Sequence, residues 1–509
     1  MTIRIYLFLL SLFVMHSIGA QENKTTENTS PIAAPKSFTS EHTINSNGKT
    51  ITYQVTAEEL YFNGENGKPV ASFWSTAYTL PNRKVSKTTS TTTRPVCFVF
   101  NGGPGSASIW LHMGLLGPKL VQVDSDAKAD DGAAPFKIID NPYSLLDITD
   151  LVFMDPIGTG YSKVLGKGKV EDYWGLNEDA KSVAKFIRLW ATKHQRWNAP
   201  KYLIGESFGT TRAAAVADEL MGGGQDMALN GLVMVSQALD YAGSTSVHDN
   251  ITSYLTYLPS MAATAWYHTK AGQGKTLEAF VEEARQFTYD MYAPALYRGA
   301  FLKEEDKANI VNQLAYFTGL DKTYIEQSNV RILMPRFQKE LLRSENKTLG
   351  RLDGRYYGEE ADQIAERPTL GDASSYKISS AYTAALQSYY ASDLNVQMDR
   401  PYLTSNRSIY PKWNWKPVPK KSGWEPHYVN TSRRLAKAMR KNESMRVLVA
   451  SGYYDLITPF FDAEYTFSRN GMVMDRVAFT YYEAGHMMYV HHPALEQLCL
   501  DIREFLTAR

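Results

Sequence analysis

Disulfide chemistry and metal binding are the first things that this sequence lacks. In 509 residues there are only two cysteines, Cys97 and Cys499, so the fold does not rest on a disulfide framework. Cys97 lies in an apolar run and Cys499 in an amphipathic C-terminal segment, which favours two buried thiols over the alternative of one bridge. No histidines and cysteines are spaced as zinc ligands, and we expect no metal or cofactor.

An excess of charge of one sign is missing as well. The chain has 54 basic and 53 acidic side chains and a formal net charge of +1. It therefore has no broad electrostatic field with which to hold nucleic acid or an anionic membrane surface. We expect a small molecule or a peptide as the partner, and no nucleic acid.

Long apolar runs are missing beyond the first twenty residues. There, Arg4 precedes an apolar run over residues 5–14, and the segment ends at Ile18-Gly19-Ala20. This pattern is typical of a secretory signal peptide, and its apolar run has about half of the roughly 20 residues that a transmembrane helix needs. We expect a secreted or periplasmic protein with no membrane span after signal removal, a retained N-terminal anchor being the alternative.

Short apolar runs that lead into glycine-rich loops dominate the first half of the chain. They cover residues 97–100, 150–154 and 201–204, and a further apolar run covers 229–235. Helix-compatible stretches, such as 177–194, separate them. Apolar strands separated by helices predict an α/β protein with a mostly parallel central sheet and helices on both faces.

The pattern changes between residues 240 and 426, where long helical stretches rich in Tyr, Ala, Glu and Lys predict an inserted, mainly helical lid. Strand and helix patterns resume after it. The predicted organisation is a signal peptide (1–20), a disordered leader (21–40), the first part of the core (41–239), the lid (240–426) and the second part of the core (427–509).

The pentapeptide Gly205-Glu206-Ser207-Phe208-Gly209 stands between a predicted strand and a predicted helix. A hydrolase nucleophile needs such a sharp turn, because flanking glycines tolerate the crowded backbone and neighbouring N–H groups face the substrate. The pentapeptide alone is a weak signal, but its context on both sides predicts Ser207 as the nucleophile.

A serine needs a base to take its proton and an acid to orient that base. Asp455 and His486 follow Ser207 in the required chain order, and each comes after a predicted strand. We therefore predict Ser207, Asp455 and His486 as a catalytic triad. His491 and His492 are the alternatives to His486, but their position just before a helix is typical of exposed residues.

Five segments together resemble the serine carboxypeptidase family, in the same order and with similar spacing. They are Asn101-Gly102-Gly103-Pro104-Gly105-Ser106-Ala107-Ser108, Asn141-Pro142-Tyr143-Ser144, Asp155-Pro156-Ile157-Gly158-Thr159-Gly160-Tyr161-Ser162, Gly205-Glu206-Ser207-Phe208-Gly209 and Gly485-His486-Met487. The lid, with Arg351-Leu352-Asp353-Gly354-Arg355, is similar to the bacterial branch of the family. The resemblance implies the α/β-hydrolase fold and the removal of C-terminal residues from peptides with a free C-terminus.

The resemblance also implies roles for residues around the nucleophile. Backbone N–H groups of Gly103 and Phe208 would form the oxyanion hole. Asn101, the backbone of Gly102, and Glu206 would hold the terminal carboxylate of the substrate. Glu206 can donate a hydrogen bond only when protonated, so we expect the charge of the bound carboxylate to raise its pKa.

Three positions depart from the family pattern, namely Val99, Ser106 and Leu115. Tryptophan often stands at the first and cysteine at the second, and a second recognition glutamate is expected at Leu115. The change at Leu115 bears on carboxylate recognition, so an esterase or acyltransferase on the same fold is the first alternative. A catalytically idle binding protein is the second.

Overall fold

The central sheet that the sequence predicts is present in the computed structural model, which describes residues 32–81, 94–123, 127, 132–416 and 428–508. The predicted signal peptide (1–20) lies outside the described residues, as does the part of the predicted leader before residue 32. From residue 35 onward the chain forms one compact unit.

Strands and helices alternate on either side of a long helical insertion. In chain order the strands are β1 (Ser37–Ser46), β2 (Lys49–Asn63), β3 (Pro69–Thr79), β4 (Val96–Phe100), β5 (Lys119–Gln122), β6 (Lys137–Asp140), β7 (Asp150–Asp155), β8 (Lys163–Val164), β9 (Lys201–Ser207), β10 (Gly231–Gln237), β11 (Lys347–Leu349), β12 (Tyr357–Glu359), β13 (Arg446–Gly452) and β14 (Val477–Tyr482). The α-helices are α1 (Ile109–Leu111), α2 (Leu176–Lys193), α3 (Phe208–Leu220), α4 (Tyr241–Ser244), α5 (Ile251–Tyr267), α6 (Leu277–Phe287), α7 (Ala293–Arg298), α8 (Glu304–Thr318), α9 (Lys322–Gln327), α10 (Met334–Glu340), α11 (Ala373–Ser388), α12 (Ser432–Lys441), α13 (Phe460–Phe467) and α14 (His492–Thr507). Within the described part of the chain, none of these helices combines the length and the apolar character needed to cross a bilayer.

The central sheet has the strand order β1-β2-β3-β7-β4-β9-β10-β13-β14, with β8 paired to β3. The strands β1 to β3 are antiparallel to their neighbours. The strands from β7 to β14 along this order run parallel. A mostly parallel sheet with an antiparallel edge, whose middle strand leads through a serine turn into a helix, is the α/β-hydrolase fold, so the predicted fold class is confirmed.

Both faces of the parallel strands are covered. Along β4, Cys97 and Val99 belong to one apolar cluster, which also holds side chains of α14, whereas Phe98 and Phe100 belong to another with side chains of α2 and α3. Burial on both faces explains why these strands read as continuous apolar runs. Cys97 and Cys499 are both buried free thiols, as predicted.

The first strand begins inside the segment that the sequence predicted as a leader. β1 pairs with β2 from Ser37, opposite Glu58, to Ser46, opposite Lys49. Residues 37–40, assigned above to the disordered leader, therefore belong to the sheet. That prediction was wrong because it relied on polar composition, whereas this hairpin is held by backbone pairing. Its two-residue turn is formed by Asn47 and Gly48, which both have positive φ.

The inserted segment contains α4 to α11. Its helices from α5 to α10 share an apolar cluster, which also includes Leu456 of the core. Ile378 and Tyr382 of α11 instead join the core cluster that contains Leu115. Isolated bridges further join the segment to the core, at Ser405 with Ser106 and at Leu403 with Gly160. The insertion thus lies against the loops that follow β4 and β7.

Candidate active site

Ser207 stands at the junction of β9 and α3, with its backbone in the left-handed region at φ 59°. A non-glycine residue there costs roughly 1–3 kcal/mol and persists only where the surroundings impose it. These surroundings are tight, because a Cβ on Gly205 would lie 2.4 Å from the carbonyl oxygen of Gly209. The turn presents Ser207 to a cleft with a volume of about 290 Å³.

The side chains of His486 and Asp455 meet in a buried pair. His486 Nδ1 lies 2.8 Å from Asp455 Oδ2, and the two residues are 3% and 1% exposed. Asp455 also accepts hydrogen bonds from the backbone N–H groups of Ile457 and Thr458 and from the Thr458 hydroxyl, at 2.7, 3.0 and 2.8 Å. His486 lines the same cleft as Ser207, so the structure brings the three predicted triad residues together.

The electrostatics of His486 suit a general base. Burial lowers its pKa, but the charge of Asp455 and the hydrogen bond to it outweigh burial, so the pKa is raised above its usual value. An imidazolium formed by taking a proton from Ser207 is thereby stabilised. The structure describes Ser207 and His486 and shows no hydrogen bond between their side chains. Catalytic hydrogen bonds are often long or poorly aligned before substrate is bound.

A glycine loop lies directly against the start of α3. A Cβ on Gly102 would come within 2.6 Å of Phe208 N and 2.7 Å of Glu206 O, so only glycine fits. Phe208 is the first residue of α3, and N–H groups in the first turn of a helix have no partner within it. The N–H groups of Phe208 and of Gly103, which lines the cleft, are the pair predicted for the oxyanion hole.

Asn101 and Glu206 line the cleft beside Ser207 and are only 1% and 4% exposed. Asn101 Oδ1 accepts a hydrogen bond from Leu111 N at 3.0 Å, whereas its Nδ2 makes no hydrogen bond of ordinary geometry to any described residue. Buried amide donors are rarely left in this state, so Nδ2 is available to a ligand. Glu206 Oε2 accepts a hydrogen bond of 2.6 Å from the hydroxyl of Tyr489.

Glu206 can keep, up to about neutral pH, the proton that binding a carboxylate would require. Burial raises its pKa to about 7, although the charge of His486 and the side chains of Tyr489 and Asn101 lower it in part. Burial alone therefore raises the pKa of Glu206, an effect that we expected from the charge of a bound substrate. A neutral carboxyl group can donate a hydrogen bond to an anion, whereas the ionised group would repel it.

The inserted segment forms the other wall of the cleft. Its contribution comes from the loop after β11 and from α11, through Arg351, Leu352, Ser375, Ile378 and Ser379. Backbone hydrogen bonds join this wall to the catalytic loops. His486 N donates to Leu352 O at 2.6 Å, and Leu456 N donates to Arg351 O at 3.1 Å.

A buried carboxylate supports the loop that carries His486. Asp353 Oδ2 accepts a hydrogen bond from Gly485 N at 3.1 Å and lies 2.6 Å from Nη2 of Arg355. A Cβ on Gly485 would lie 2.4 Å from the Asp353 Cβ, so this contact also needs glycine. The inserted segment thus helps to position His486.

The remaining lining is largely apolar. Trp110, Ile457 and Met487 contribute to it, and Trp110 Nε1 donates a hydrogen bond to Ser106 Oγ at 3.0 Å. Within the described ranges, no three or more His, Cys, Asp or Glu side chains lie together as a metal site. The cleft offers a ligand hydrogen bonds and apolar contacts.

This arrangement is matched by a known family. The sequence model of the serine carboxypeptidase family matches residues 83–485 of the chain. The chain belongs to the serine carboxypeptidase family. Membership of its bacterial branch, indicated by the lid residues, stays a prediction.

Individual proteins with known names or structures are similar to this chain at low sequence identity. Serine carboxypeptidase-like 16 from Arabidopsis thaliana is 28% identical over 156 residues, which are 29% of this chain and 34% of that protein, so the match spans about a third of the relative. Among solved structures, a proline iminopeptidase from Mycobacterium smegmatis has a TM-score of 0.33 and 14% identity, covering 88% of this chain and 97% of that one. A carboxyl esterase from Bacillus coagulans has a TM-score of 0.34 and 13% identity, with the same coverages of 88% and 97%.

This serine carboxypeptidase family member has an apolar residue, Leu115, where the family pattern leads us to expect a second glutamate. Leu115 is fully buried, lies in the π-helical turn His112–Leu116, and belongs to the apolar cluster that also contains Tyr489. A second glutamate there would be desolvated among apolar side chains. The hydrogen-bond partner of Glu206 is instead the Tyr489 phenol.

Sequence reasoning missed several residues that hold the site together. Thr458 could have been found, because a threonine three residues after Asp455 is at the spacing of a local turn contact. Tyr489 gave no such signal, and Asp353 lies in the lid segment that resembles the bacterial branch, in which the sequence assigned no role to any residue. Neither Asp353 nor Arg351 is near Ser207 in sequence, and only the packing of the inserted segment brings them to the cleft.

Proposed function

We propose that the protein is a serine carboxypeptidase that removes C-terminal residues from peptides with a free C-terminus. The observation that supports it most is the pair of carboxylate-binding groups beside Ser207. Glu206 is buried with a pKa of about 7, and the amide of Asn101, which lies near Glu206, makes no hydrogen bond of ordinary geometry through Nδ2 to a described residue. A terminal carboxylate next to the scissile bond would satisfy both groups.

The proposed reaction proceeds through an acyl-enzyme. Ser207 Oγ bonds to the carbonyl carbon of the last peptide bond while its proton passes to His486 Nε2, and the N–H groups of Gly103 and Phe208 stabilise the oxyanion. The carbon–nitrogen bond breaks, and the leaving amine takes the proton from His486. Water then gives a proton to His486 and attacks the ester, and Ser207 recovers its proton as the shortened peptide leaves.

Matched peptides that end in a free acid or in an amide test this proposal, with kcat/KM measured from about pH 4 to about pH 8. The free acid should be the better substrate at low pH, and its kcat/KM should fall as Glu206 ionises around pH 7. Glu206→Gln keeps a donor that does not titrate, so the alkaline fall should flatten. Equal cleavage of acid and amide throughout would overturn the proposal.

An esterase or acyltransferase is the second candidate, and one observation favours it. With Leu115 buried among apolar side chains, Glu206 is left without a second carboxyl group as its partner. A site with one carboxyl group should discriminate less strongly against substrates that lack a terminal charge. This candidate predicts equal use of the two peptides and faster cleavage of esters.

An idle binding protein is disfavoured by the buried Asp455–His486 pair in the same cleft as Ser207. A fluorophosphonate probe should label Ser207, and Ser207→Ala should abolish the labelling. Labelling of a different serine would contradict the assignment of the nucleophile.

We further propose that the protein works outside the cytoplasm, secreted or periplasmic. The signal-peptide pattern of residues 1–20 supports this. Mass spectrometry of the mature N-terminus should find that it begins after Ala20. A mature protein that retains residues 1–20 would contradict cleavage and favour an anchor.

A further inference from the structure

Arg351 brings a permanent positive charge to the rim of the cleft. It is exposed, and it lines the same cleft as Ser207 and His486. Its backbone is fixed at both ends, since its N–H donates to Asp372 Oδ1 at 2.7 Å and its carbonyl accepts from Leu456 N at 3.1 Å. The guanidinium therefore extends from a backbone position that hydrogen bonds hold in place.

No carboxylate in the described part of the chain lies within ion-pair distance of the Arg351 guanidinium. Asp372 contacts the backbone of Arg351, but it does not pair with the guanidinium. Its oxygens accept hydrogen bonds from the backbone N–H groups of Arg351, Leu352 and Ser374 and from the Ser374 hydroxyl. The exposed arginine is thus available to an anion that enters the cleft.

Arg351 comes from a different element of the cleft wall than the groups that would bind the terminal carboxylate. Its backbone bonds to the loop of Asp455, and its charge acts on His486 and on Tyr257. Asn101 and Glu206 belong to the strand ends of β4 and β9 instead. The cleft thus has a cationic side chain, Arg351, in addition to Asn101 and Glu206.

We propose that Arg351 selects substrates with an aspartate or glutamate side chain in one of the two residues that flank the scissile bond. This inference rests on the proposed function and adds a substrate preference to it. The planar guanidinium can hold a side-chain carboxylate through two hydrogen bonds. The apolar lining beside it, with Ile457 and Met487, would limit water around the pair once substrate fills the cleft.

The size of the preference is bounded by the exposure of Arg351. Solvent-exposed ion pairs contribute little, and partial desolvation by the substrate strengthens them. We expect kcat/KM for a glutamate-containing peptide to exceed that of its glutamine counterpart by about threefold to tenfold at low salt. The preference should shrink as salt is added, because the pair is screened.

The test uses the full-length enzyme and peptide pairs that differ only as glutamate or glutamine, placed at the last or at the penultimate residue. The parent should prefer glutamate at one of these positions. Arg351→Gln should abolish the preference, Arg351→Lys should keep part of it, and Arg351→Glu should turn it toward lysine-containing peptides. Arg433→Gln removes an exposed arginine that does not line the cleft, and it should leave the preference unchanged.

Two outcomes overturn the inference. One is equal cleavage of the glutamate and glutamine peptides by the parent at both positions, and the other is a preference that survives in Arg351→Gln. A merely structural role for Arg351 would lower all rates together and would not redirect the enzyme toward lysine. Each peptide is also made as an amide, so that a failure of terminal-carboxylate recognition is read from the acid and amide pair, independently of Arg351.

Discussion

One wall of the cleft is built from strand ends of the sheet and the other from the inserted segment, and their side chains are held differently. Asn101, Glu206 and His486 on the sheet side are 1%, 4% and 3% exposed, each within a tight backbone environment. On the inserted side, Arg351 is exposed and Ser375 is half-buried. Groups that change protonation or stabilise charge need fixed, desolvated positions, whereas groups that choose among side chains can remain at the solvent boundary.

The strongest test of the sheet side is His486→Ala. Because the members of a triad act as a unit, kcat on a small activated ester should fall by about 10⁴-fold or more while the protein stays folded. His492→Ala is the matched control, since His492 is exposed and does not line this cleft. A loss of less than about tenfold in His486→Ala would mean that another group acts as the base.

The contact between the two walls is tested by Gly485→Ala. The new Cβ would lie 2.4 Å from the Asp353 Cβ, so the loop that carries His486 must move. A displacement of about 1 Å at a catalytic group can cost about 100-fold, and we expect a loss of kcat of that order together with a lower Tm. Gly222→Ala is the control, because its Cβ would meet open space. Unchanged kcat in Gly485→Ala would show that the insertion does not position His486.

A subtler test of the sheet side is Tyr489→Phe. The Tyr489 hydroxyl stabilises ionised Glu206 and so lowers its pKa, and removing it should raise that pKa above about 7. Glu206 then stays protonated to higher pH, so the alkaline fall of kcat/KM on free-acid peptides should move up by about half a unit to one unit. Tyr482→Phe is the control, since that hydroxyl bonds to Asp501. A shift toward lower pH would contradict the proposed role of the hydrogen bond.

The smallest effect is expected on the inserted side, from Ser375→Phe. A ring at this half-buried position narrows the cleft, so kcat/KM on peptides should fall by about threefold to tenfold, with less change on a small ester. Ser380→Phe adds the same ring to an exposed position of α11 outside the cleft lining. Equal losses on both substrates in Ser375→Phe would assign this wall a structural role only.

That the three candidate triad residues lie close together could be predicted, because their positions depend on local patterns with a common geometry. Ser207, Asp455 and His486 each follow a strand of one sheet, and the carboxyl ends of parallel strands meet at the same edge. The fold class followed from the same alternation of apolar strands and helices. The predicted leader extended too far, because β1 is stabilised by backbone pairing that its polar composition does not reveal.

The supporting contacts could not be predicted, because they join distant parts of the chain. Asp353 and Gly485 are 132 residues apart, and Tyr489 and Glu206 are 283 apart. No periodicity or turn signal encodes such pairs. The pKa of Glu206 likewise depends on burial by several elements at once, so its cause could be assigned only in the folded chain.

The backbone bonds between residues 351–354 and the catalytic loops restrict how this protein can be recombined with its relatives. Gly354 N donates to Tyr454 O at 2.9 Å, and Leu352 O accepts from His486 N at 2.6 Å. In a chimera of two relatives, residues 351–354 should therefore come from the same parent as the core. The helices from α5 to α10 share an apolar cluster, but α5 and α6 also pack against Tyr453, Phe460 and Phe461 of the core. New specificities are therefore best engineered at the side chains of residue 351 and of α11 that line the cleft, while the backbone bonds of residues 351–354 are kept.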